Sequence, residues 1–389
     1  MTRTLLLVAR VAAVVVALAS VAIPLWITFE DRAAEVALRK LGAGIGREIS
    51  GGLMVELPTQ ISDDTLIKEA PHLERLNPAH LYVPHSKFAS LEPLKGLTTL
   101  VLLDLQDATG ITSLEPLAGL TNLNSLDLSY ATGITSLEPL RGLTNLRSLN
   151  LRSTAGITSL EPLAELTKLS NLDLVSATGI TSLEPLKGLA NLSWLDLSYA
   201  TGITSLEPLK GLTNLNSLNL RNARGITSLE PLKGMTSLAS LNLNGATGIT
   251  SLEPLKGLTN LSWLDLTNAT GITSLEPLKG MTKLTSLNLN SATGITSLEP
   301  LAGLTNLSSL DLSDAIGITS LEPLKGLTEL SSLTLINVTG ITSLEPLKGM
   351  TNLSKLYLND AKGIKSLEPL KELGVQVYGA SDELLATMN

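Results

Sequence analysis

The 389-residue sequence contains no cysteine and only three histidines, and aromatic residues make up 3% of it. The absence of cysteine excludes disulfide bonds, thiol nucleophiles and cysteine-based metal sites. The histidines, His72, His80 and His85, all precede residue 90, so none is available in the rest of the chain to activate a serine. The sequence therefore predicts no catalytic residue, no metal site and no cofactor, and we expect a protein that is not an enzyme.

Positive charge is also scarce, because 28 Lys and Arg residues stand against 36 Asp and Glu residues and the net charge is −8. This acidic balance argues against electrostatic binding to nucleic acid. Hydrophobic residues reach 43%, which excludes a disordered chain, and with so few aromatics the core must be mostly aliphatic. The composition thus favours a folded protein whose partner is not a nucleic acid.

Only one long uncharged apolar segment is present, at residues 11–29. It is long enough to span a bilayer, and we expect a signal anchor that leaves residues 1–10 in the cytoplasm. The alternative is a cleaved signal peptide, with Ala17-Leu18-Ala19 as its cleavage site. Both interpretations predict an exported repeat domain, and the first predicts a single-pass membrane protein. Residues 30–52 are expected to extend the anchor helix and then form a Gly-rich neck.

Thirteen prolines recur every 23 residues, from Pro93 to Pro369, each within the sequence Ser-Leu-Glu-Pro-Leu. A fixed period of this length is the signature of a solenoid. Residues 96–371 hold twelve complete units, and unit position 1 is the residue that corresponds to Gly96. The apolar positions 2, 5, 8, 10, 16, 19 and 22 have neither helical nor strand periodicity, so they predict a flattened coil with one short strand at Leu-x-Leu.

Three other unit positions lead to specific expectations. Glycine at position 15, from Gly110 to Gly363, predicts a bend through a positive φ angle. The Thr-Ser pair before Leu-Glu-Pro-Leu is expected to cap one short helical turn. Glutamate at position 20 is expected to pair with the Lys or Arg found at position 23 in ten of thirteen copies, since stacked glutamates would otherwise repel one another.

The segment Leu123-x-x-Leu126-x-Leu128-x-x-Ala131-x-x-Ile134 resembles a leucine-rich repeat, and Leu-Glu-Pro-Leu-x-Gly-Leu-Thr-x-Leu is similar to the convex part of internalin-like bacterial repeats. The resemblance implies an α/β solenoid, an arc with a concave parallel β-sheet and short 3-10 or irregular turns on its convex side. It also implies binding to other macromolecules. Two departures are a unit of 23 residues, where 22 is common, and Ala131 in place of an inward asparagine, so the usual asparagine ladder is missing.

The degenerate ends of the array are expected to cap it. Residues 53–95 are predicted to form an N-terminal cap with an incomplete repeat and a longer helix, followed by the twelve repeats of residues 96–371. Residues 372–389 are predicted to add a last strand and a short helix as a C-terminal cap. Noncovalent caps agree with the absence of cysteine, and we expect a monomer.

Unit position 9 lies between the two strand leucines and is predicted to face the concave solvent. It is Asp in six units and Asn in four. A calcium site is one interpretation, but a flat row of single carboxylates does not surround an ion with six or more oxygens. A solvated strand face is favoured. Acids outnumber bases in the concave columns, so we expect a basic or neutral protein partner rather than an acidic one.

Large side chains interrupt the Ser, Asn and Thr residues of the concave columns, and tryptophan, tyrosine and arginine are typical interface anchors. We predict that the ligand-binding residues are Tyr130, Arg147, Arg152, Trp194, Tyr199, Arg221 and Trp263. Trp194 and Trp263 are 69 residues apart, which is three units, so a duplicated block is an alternative origin for them. The function alternatives are an envelope-anchored recognition module, a structural spacer without a ligand, and a glycan-binding adhesin.

Overall fold

A computed structural model describes residues 30–47 and 52–388. Within these ranges three α-helices are present: α1 over residues 30–41, α2 over Asp63–Leu76 and α3 over Asp382–Leu385. A 3-10 helix at Glu92–Leu94 opens a series that repeats every 23 residues up to Glu368–Leu370, and one more lies at Ala386–Met388. Each repeat thus contributes one short turn and one short strand.

Sixteen strands of the described residues form one open sheet in which they follow one another in sequence order. Strands β1 and β2 are antiparallel, and every later pair is parallel. The strands are β1 Gly44–Arg47, β2 Leu53–Glu56, β3 His80–Tyr82, β4 Leu102–Asp104, β5 Ser125–Asp127, β6 Ser148–Asn150, β7 Asn171–Asp173, β8 Trp194–Asp196, β9 Ser217–Asn219, β10 Ser240–Asn242, β11 Trp263–Asp265, β12 Ser286–Asn288, β13 Ser309–Asp311, β14 Ser332–Thr334, β15 Lys355–Tyr357 and β16 Gln376–Tyr378.

The repeat pattern explains both elements of the unit. Leucines at positions 8 and 10 point inward and pack on the same leucines of adjacent units, and nearly every apolar column is fully buried. In the convex turns, the serine hydroxyl at position 18 accepts a hydrogen bond from the backbone N–H of the following glutamate, as in Ser113 to Glu115 at 3.2 Å. Proline stands at the second residue of each turn, where it removes no needed donor. The predicted α/β solenoid is confirmed.

Glycine recurs at position 15 of every repeat for a different reason from the one predicted. These glycines do not have a positive φ angle. Position 12 is left-handed in every complete repeat, with φ between 55° and 68°, and the position-1 glycine also has a positive φ angle in seven repeats. A Cβ atom on a position-15 glycine would instead lie 2.3–2.8 Å from a backbone carbonyl oxygen, usually that of the isoleucine one repeat earlier. Glycine is therefore required by the close stacking of two backbones.

The glutamate column also differs from expectation. Lys95 pairs with Glu92 at 3.8 Å, and Arg141 binds Glu138 at 3.0 Å. Apart from Lys371, the other position-23 bases of the described residues have no expected glutamate within 4 Å. The remaining position-23 lysines are exposed, and an exposed pair gains too little to hold a flexible lysine in one conformation. The glutamate backbone, through its bond to serine, is the feature that every turn shares.

The segment before the repeats packs on the first unit. Ser62 caps α2 by accepting a hydrogen bond from the N–H of Thr65, and α2 is bound to α1 through ion pairs of Arg75 with Glu30 and Asp31. Part of the predicted Gly-rich neck forms strand β1 and pairs with β2. At the other end, β16 pairs with β15, and Ser381 caps α3. These contacts agree with the two predicted caps, which stay predictions.

The predicted localisation, a single-pass membrane protein with an exported repeat domain, is wrong by this structure. In residues 30–47 and 52–388, no helix combines the length and the apolar character that a bilayer crossing requires. Helix α1, which directly follows the predicted anchor, carries Asp31, Arg32 and Glu35, and charged side chains are costly inside a bilayer. The predicted anchor itself, residues 11–29, and the predicted tail, residues 1–10, lie outside the described residues.

Candidate functional site: the concave sheet

The concave surface is made by the first and third residues of each strand, because the middle residue is the buried leucine. We call these two columns the floor. The first column is mostly serine, and it contains Trp194 in β8 and Trp263 in β11, both half-buried. Unit position 6 lies at one edge of the floor, and positions 11 and 12 lie in the turn at the other edge.

The third residue of each strand is not simply a solvated acid. In ten consecutive units its side-chain oxygen accepts a hydrogen bond from the backbone N–H two residues later, at 2.8–3.1 Å. The pairs are Asp104–Gln106, Asp127–Ser129, Asn150–Arg152, Asp173–Val175, Asp196–Ser198, Asn219–Arg221, Asn242–Asn244, Asp265–Thr267, Asn288–Asn290 and Asp311–Ser313. The side chains of this column therefore accept hydrogen bonds from the N–H groups of the following turn. The expectation that they form only a solvated strand face is corrected.

Neighbouring members of this column are joined sideways, and a second ladder lies elsewhere in the repeat. The amide of Asn150 donates to Asp127 at 2.8 Å, and the amide of Asn219 donates to Asp196 at 2.9 Å. At unit position 4, asparagine amides donate to a carbonyl oxygen of the preceding unit at 2.6–2.9 Å. They belong to Asn122, Asn145, Asn191, Asn214, Asn260, Asn306 and Asn352. Two polar ladders, at unit positions 9 and 4, are thus present, although position 13 lacks the asparagine of the usual ladder.

Asp196 offers a direct test of the floor ladder. Its Oδ1 accepts from the N–H of Ser198 at 2.8 Å, and both residues are buried. We expect Asp196→Ala to lower the free energy of unfolding by about 1–3 kcal/mol, because that N–H loses its acceptor without gaining water. Asp196→Asn keeps the oxygen that accepts from Ser198 and loses the one that accepts from the Asn219 amide, so it should lower the stability less. Urea denaturation measures both variants, and equal loss in the two would show that the carboxylate charge or its bond to Asn219, not the turn hydrogen bond, stabilises the floor.

The structure brings four of the predicted site residues into two pairs at one edge of the floor. Arg152 interacts with the Tyr130 side chain and reaches Asp173 at 3.4 Å. Arg221 lies with its guanidinium carbon 5.7 Å from the ring centre of Tyr199. Both tyrosines are 40% exposed and occupy the left-handed position 12.

The other three predicted residues stand apart. Arg147 is exposed at the opposite edge, while Trp194 and Trp263 share one column three strands apart, which corresponds to ~14–15 Å. Sequence reasoning missed a stacked pair at the C-terminal end of the floor, Tyr357 and Tyr378, with ring centres 4.8 Å apart. Each tyrosine is the third residue of its strand, β15 or β16. The repeat pattern did not align them in the sequence, because the last repeat is degenerate.

A shallow hollow of about 290 Å³ lies on the floor over strands β5 to β8, and the indole of Trp194 borders it. Asp127 and Asp173 line it together with serine and asparagine side chains. Burial raises the pKa of Asp173 above its usual value, and the nearby Asp196 carboxylate adds to the rise against the opposing effects of the Val175 N–H and of Arg152. The hollow is therefore a polar site with two carboxyl groups in its lining.

A sequence profile described as Leucine Rich repeats (2 copies) matches residues 144–188, 259–303 and 282–326. The solved internalin InlF of Listeria monocytogenes is 27% identical to this chain, and the match covers 82% of this chain and 86% of that one with a TM-score of 0.56. The repeats of this chain are leucine-rich repeats, and they are similar to those of internalins. The functional domain of InlJ, also from Listeria monocytogenes, is 25% identical over 76% of this chain and 68% of its own, with a TM-score of 0.55.

Other comparisons define how far this similarity extends. The InlJ domain includes a cysteine ladder, whereas this leucine-rich-repeat chain has no cysteine and uses asparagine and aspartate ladders. A leucine-rich-repeat protein of Leptospira interrogans shares the fold at 20% identity and a TM-score of 0.53, with coverage of 79% of this chain and 91% of that one. Comparison with curated protein sequences gave no match.

Proposed function

We propose that this leucine-rich-repeat protein is a non-enzymatic recognition module that binds a basic or neutral protein on its concave sheet. The fold itself supports a protein-binding role, since leucine-rich-repeat arcs commonly bind other proteins. The observation that carries the more specific proposal is the pair of half-buried indoles, Trp194 and Trp263, on the part of the floor from β5 to β14, where the other side chains are serine, asparagine, aspartate and threonine. Such rigid aromatic groups are the usual anchors of protein interfaces.

The two tyrosine–arginine pairs strengthen this interpretation. Tyr130 and Tyr199 occupy a left-handed position that most other repeats fill with asparagine, aspartate, serine or glycine. A bulky residue is unfavourable there, and each ring leaves 40% of its surface exposed to solvent, where a partner can contact it. Interface contacts are a reason to retain both rings, and Arg152 and Arg221 lie beside them in the same repeated arrangement.

Charge favours a basic or neutral partner over an acidic one. The floor column of strand residues contains aspartate at Asp104, Asp127, Asp173, Asp196, Asp265 and Asp311. Arg152 compensates Asp173, while Arg221 lies over a tyrosine ring rather than a carboxylate. An acidic ligand would therefore meet like charge at six strands of the sheet, which raises the free energy of the complex.

A capture experiment tests the proposal. The full chain is immobilised, a bound protein is isolated from an extract of the encoding organism, and its affinity is then measured with the purified components. We expect Trp194→Ala/Trp263→Ala to weaken binding by about 2 kcal/mol or more, because anchor residues dominate interface energies. The matched control is Ser217→Ala/Ser240→Ala, which alters the same column between the two indoles.

The outcomes separate the alternatives. Equal affinity of the wild type and both double variants would place the partner on another surface and contradict the proposal. Failure to capture any protein, together with binding of an oligosaccharide that depends on the indoles, would favour the glycan-binding alternative. Absence of any ligand for the concave sheet would leave the spacer alternative.

A further inference from the structure

We propose that the hollow bordered by Trp194 is a subsite for one basic side chain, an arginine or lysine of the protein partner. The proposal rests on the proposed concave-face function and adds the chemistry that selects the partner. Three features carry it: a preformed hollow, an aromatic wall and carboxylates at two sides. Each comes from a different strand, so the subsite exists only in the folded array.

The hollow has the size for a single side chain. Its volume of about 290 Å³ would hold a guanidinium group with its aliphatic stem, but not a folded element. Serines of β5 and β6 line its base, above the buried leucines Leu126 and Leu149. An extended apolar stem can lie against the indole of Trp194 while its charged end remains near the polar rim.

The indole of Trp194 forms one wall, in the first residue position of β8. Tryptophan is the best aromatic partner for a cation, and arginine is the cation most often found against an aromatic face. The chain already shows this geometry at the neighbouring edge, where Arg221 lies over Tyr199. A basic side chain from outside would make the corresponding contact with Trp194.

Two carboxylates complete the site from opposite sides. Asp127 and Asp173 are two strands apart, which separates them by ~10 Å, so a cation placed between them can interact with both. Asp173 already contacts Arg152 at 3.4 Å, whereas the partners of Asp127 are the neutral groups Ser129 and Asn150. Asp127 is thus the carboxylate whose charge a ligand would neutralise.

The corresponding floor beside Trp263 differs in chemistry. In the same register, the three strands before Trp263 carry Asp196, Asn219 and Asn242 as third residues, where those before Trp194 carry Asp127, Asn150 and Asp173. The Trp263 side thus has one carboxylate instead of two, and that carboxylate, Asp196, is buried, whereas Asp127 is half-buried. The two tryptophans therefore present different subsites despite their common column. A basic side chain should distinguish them, whereas a ligand that recognises indole alone should not.

The test uses small peptides and the full-length chain. The chain contains three tryptophans, so labelling the indole nitrogens with ¹⁵N gives three signals, and Trp194→Phe assigns one of them. The probe is acetyl-Gly-Arg-Gly-amide, compared with the same peptide containing citrulline, which keeps the shape and hydrogen-bonding groups but carries no charge. We expect the Trp194 signal to shift with the arginine peptide alone and to saturate in the millimolar range, while the Trp263 signal stays in place.

Variants of the floor identify the responsible charge. Asp127→Asn should weaken the arginine peptide at least about fivefold, because it removes the uncompensated carboxylate but keeps the oxygen that binds Ser129. Asp311→Asn is the matched control, since Asp311 makes the same two bonds to Ser313 far from the hollow, and it should leave the affinity unchanged.

Several results would overturn the subsite. These are no shift with either peptide, equal shifts with arginine and citrulline, equal movement of both indole signals, or an Asp127→Asn variant that binds as the wild type does. A shift produced by a methyl glycoside and by neither peptide would reassign the hollow to sugars. If the captured partner still depends on Trp194 while the peptide does not bind, the concave-face function stands and the basic-side-chain subsite is wrong.

Discussion

Gly294→Ala is expected to destabilise the folded array by about 3 kcal/mol, near the upper end of the usual cost of overpacking. A Cβ atom at this residue would lie 2.4 Å from the carbonyl oxygen of Ile272 and 3.1 Å from that of Thr270. Both are backbone atoms of the preceding unit, so no side chain can rotate away. Relief requires the two repeats to separate, which weakens the leucine packing between them.

Gly188→Ala is the control for this variant. A Cβ atom at Gly188 would meet no atom within 4 Å, and the residue has no positive φ angle. The substitution should be neutral or stabilise by up to about 1 kcal/mol, because alanine lowers the entropy of the unfolded chain. Urea and thermal denaturation of both variants measure the difference. If Gly294→Ala is as stable as Gly188→Ala, the close backbone stacking does not explain the glycine column.

Deletion of residues 372–389 should produce a chain that self-associates and melts at a lower temperature. The deletion removes β16 and so leaves the backbone edge of β15 unpaired. It also uncovers the last apolar layer, including Ile364, Leu367 and Leu370, which are buried in the complete array. An exposed parallel edge above an apolar surface is a site for association with another chain.

The matched control deletes residues 257–279, one complete 23-residue period from the interior. This variant joins Lys256 to Gly280 in register, so it shortens the array but keeps both ends. Light scattering and thermal melting should show a monomer with nearly unchanged cooperativity for the internal deletion and aggregation for the terminal one. A monomeric terminal deletion with an unchanged melting temperature would contradict the cap assignment of residues 372–389.

The candidate site could be predicted only in part. Large side chains on an array of serine and asparagine are visible in the sequence, and the structure does place Trp194 and Trp263 on the concave floor. The pairing of Arg152 with Asp173 and the hollow beside Trp194 could not be predicted, since they depend on how side chains of adjacent strands lean across the sheet. Spacing assigns a residue to a column but does not give its rotamer.

The membrane prediction shows a different limit. It was based on the length and apolar character of residues 11–29 alone, and no helix of the described residues has the properties of a membrane span. A hydropathy pattern measures the preference of a segment for an apolar environment. It does not show whether that segment lies in a membrane.

The architecture of the repeats follows from the amino-acid sequence alone. A strict 23-residue period with leucines in constant columns can bury its apolar residues only by stacking identical units, so the parallel sheet and its register follow from the repeat alone. The serine, glutamate and proline of each convex turn are likewise local in their effect, because they act within a few residues of the same chain segment.

Features that depend on contacts between units could be identified only in the packed array. The tertiary structure assigned the glycine at position 15 to backbone stacking rather than to a positive φ angle, and it assigned the aspartates of the floor to turn hydrogen bonds. It also left most position-23 lysines without the expected glutamate partner. The reason is that a repeat sequence states which residues recur, whereas the distance between one unit and the next exists only after the units have packed.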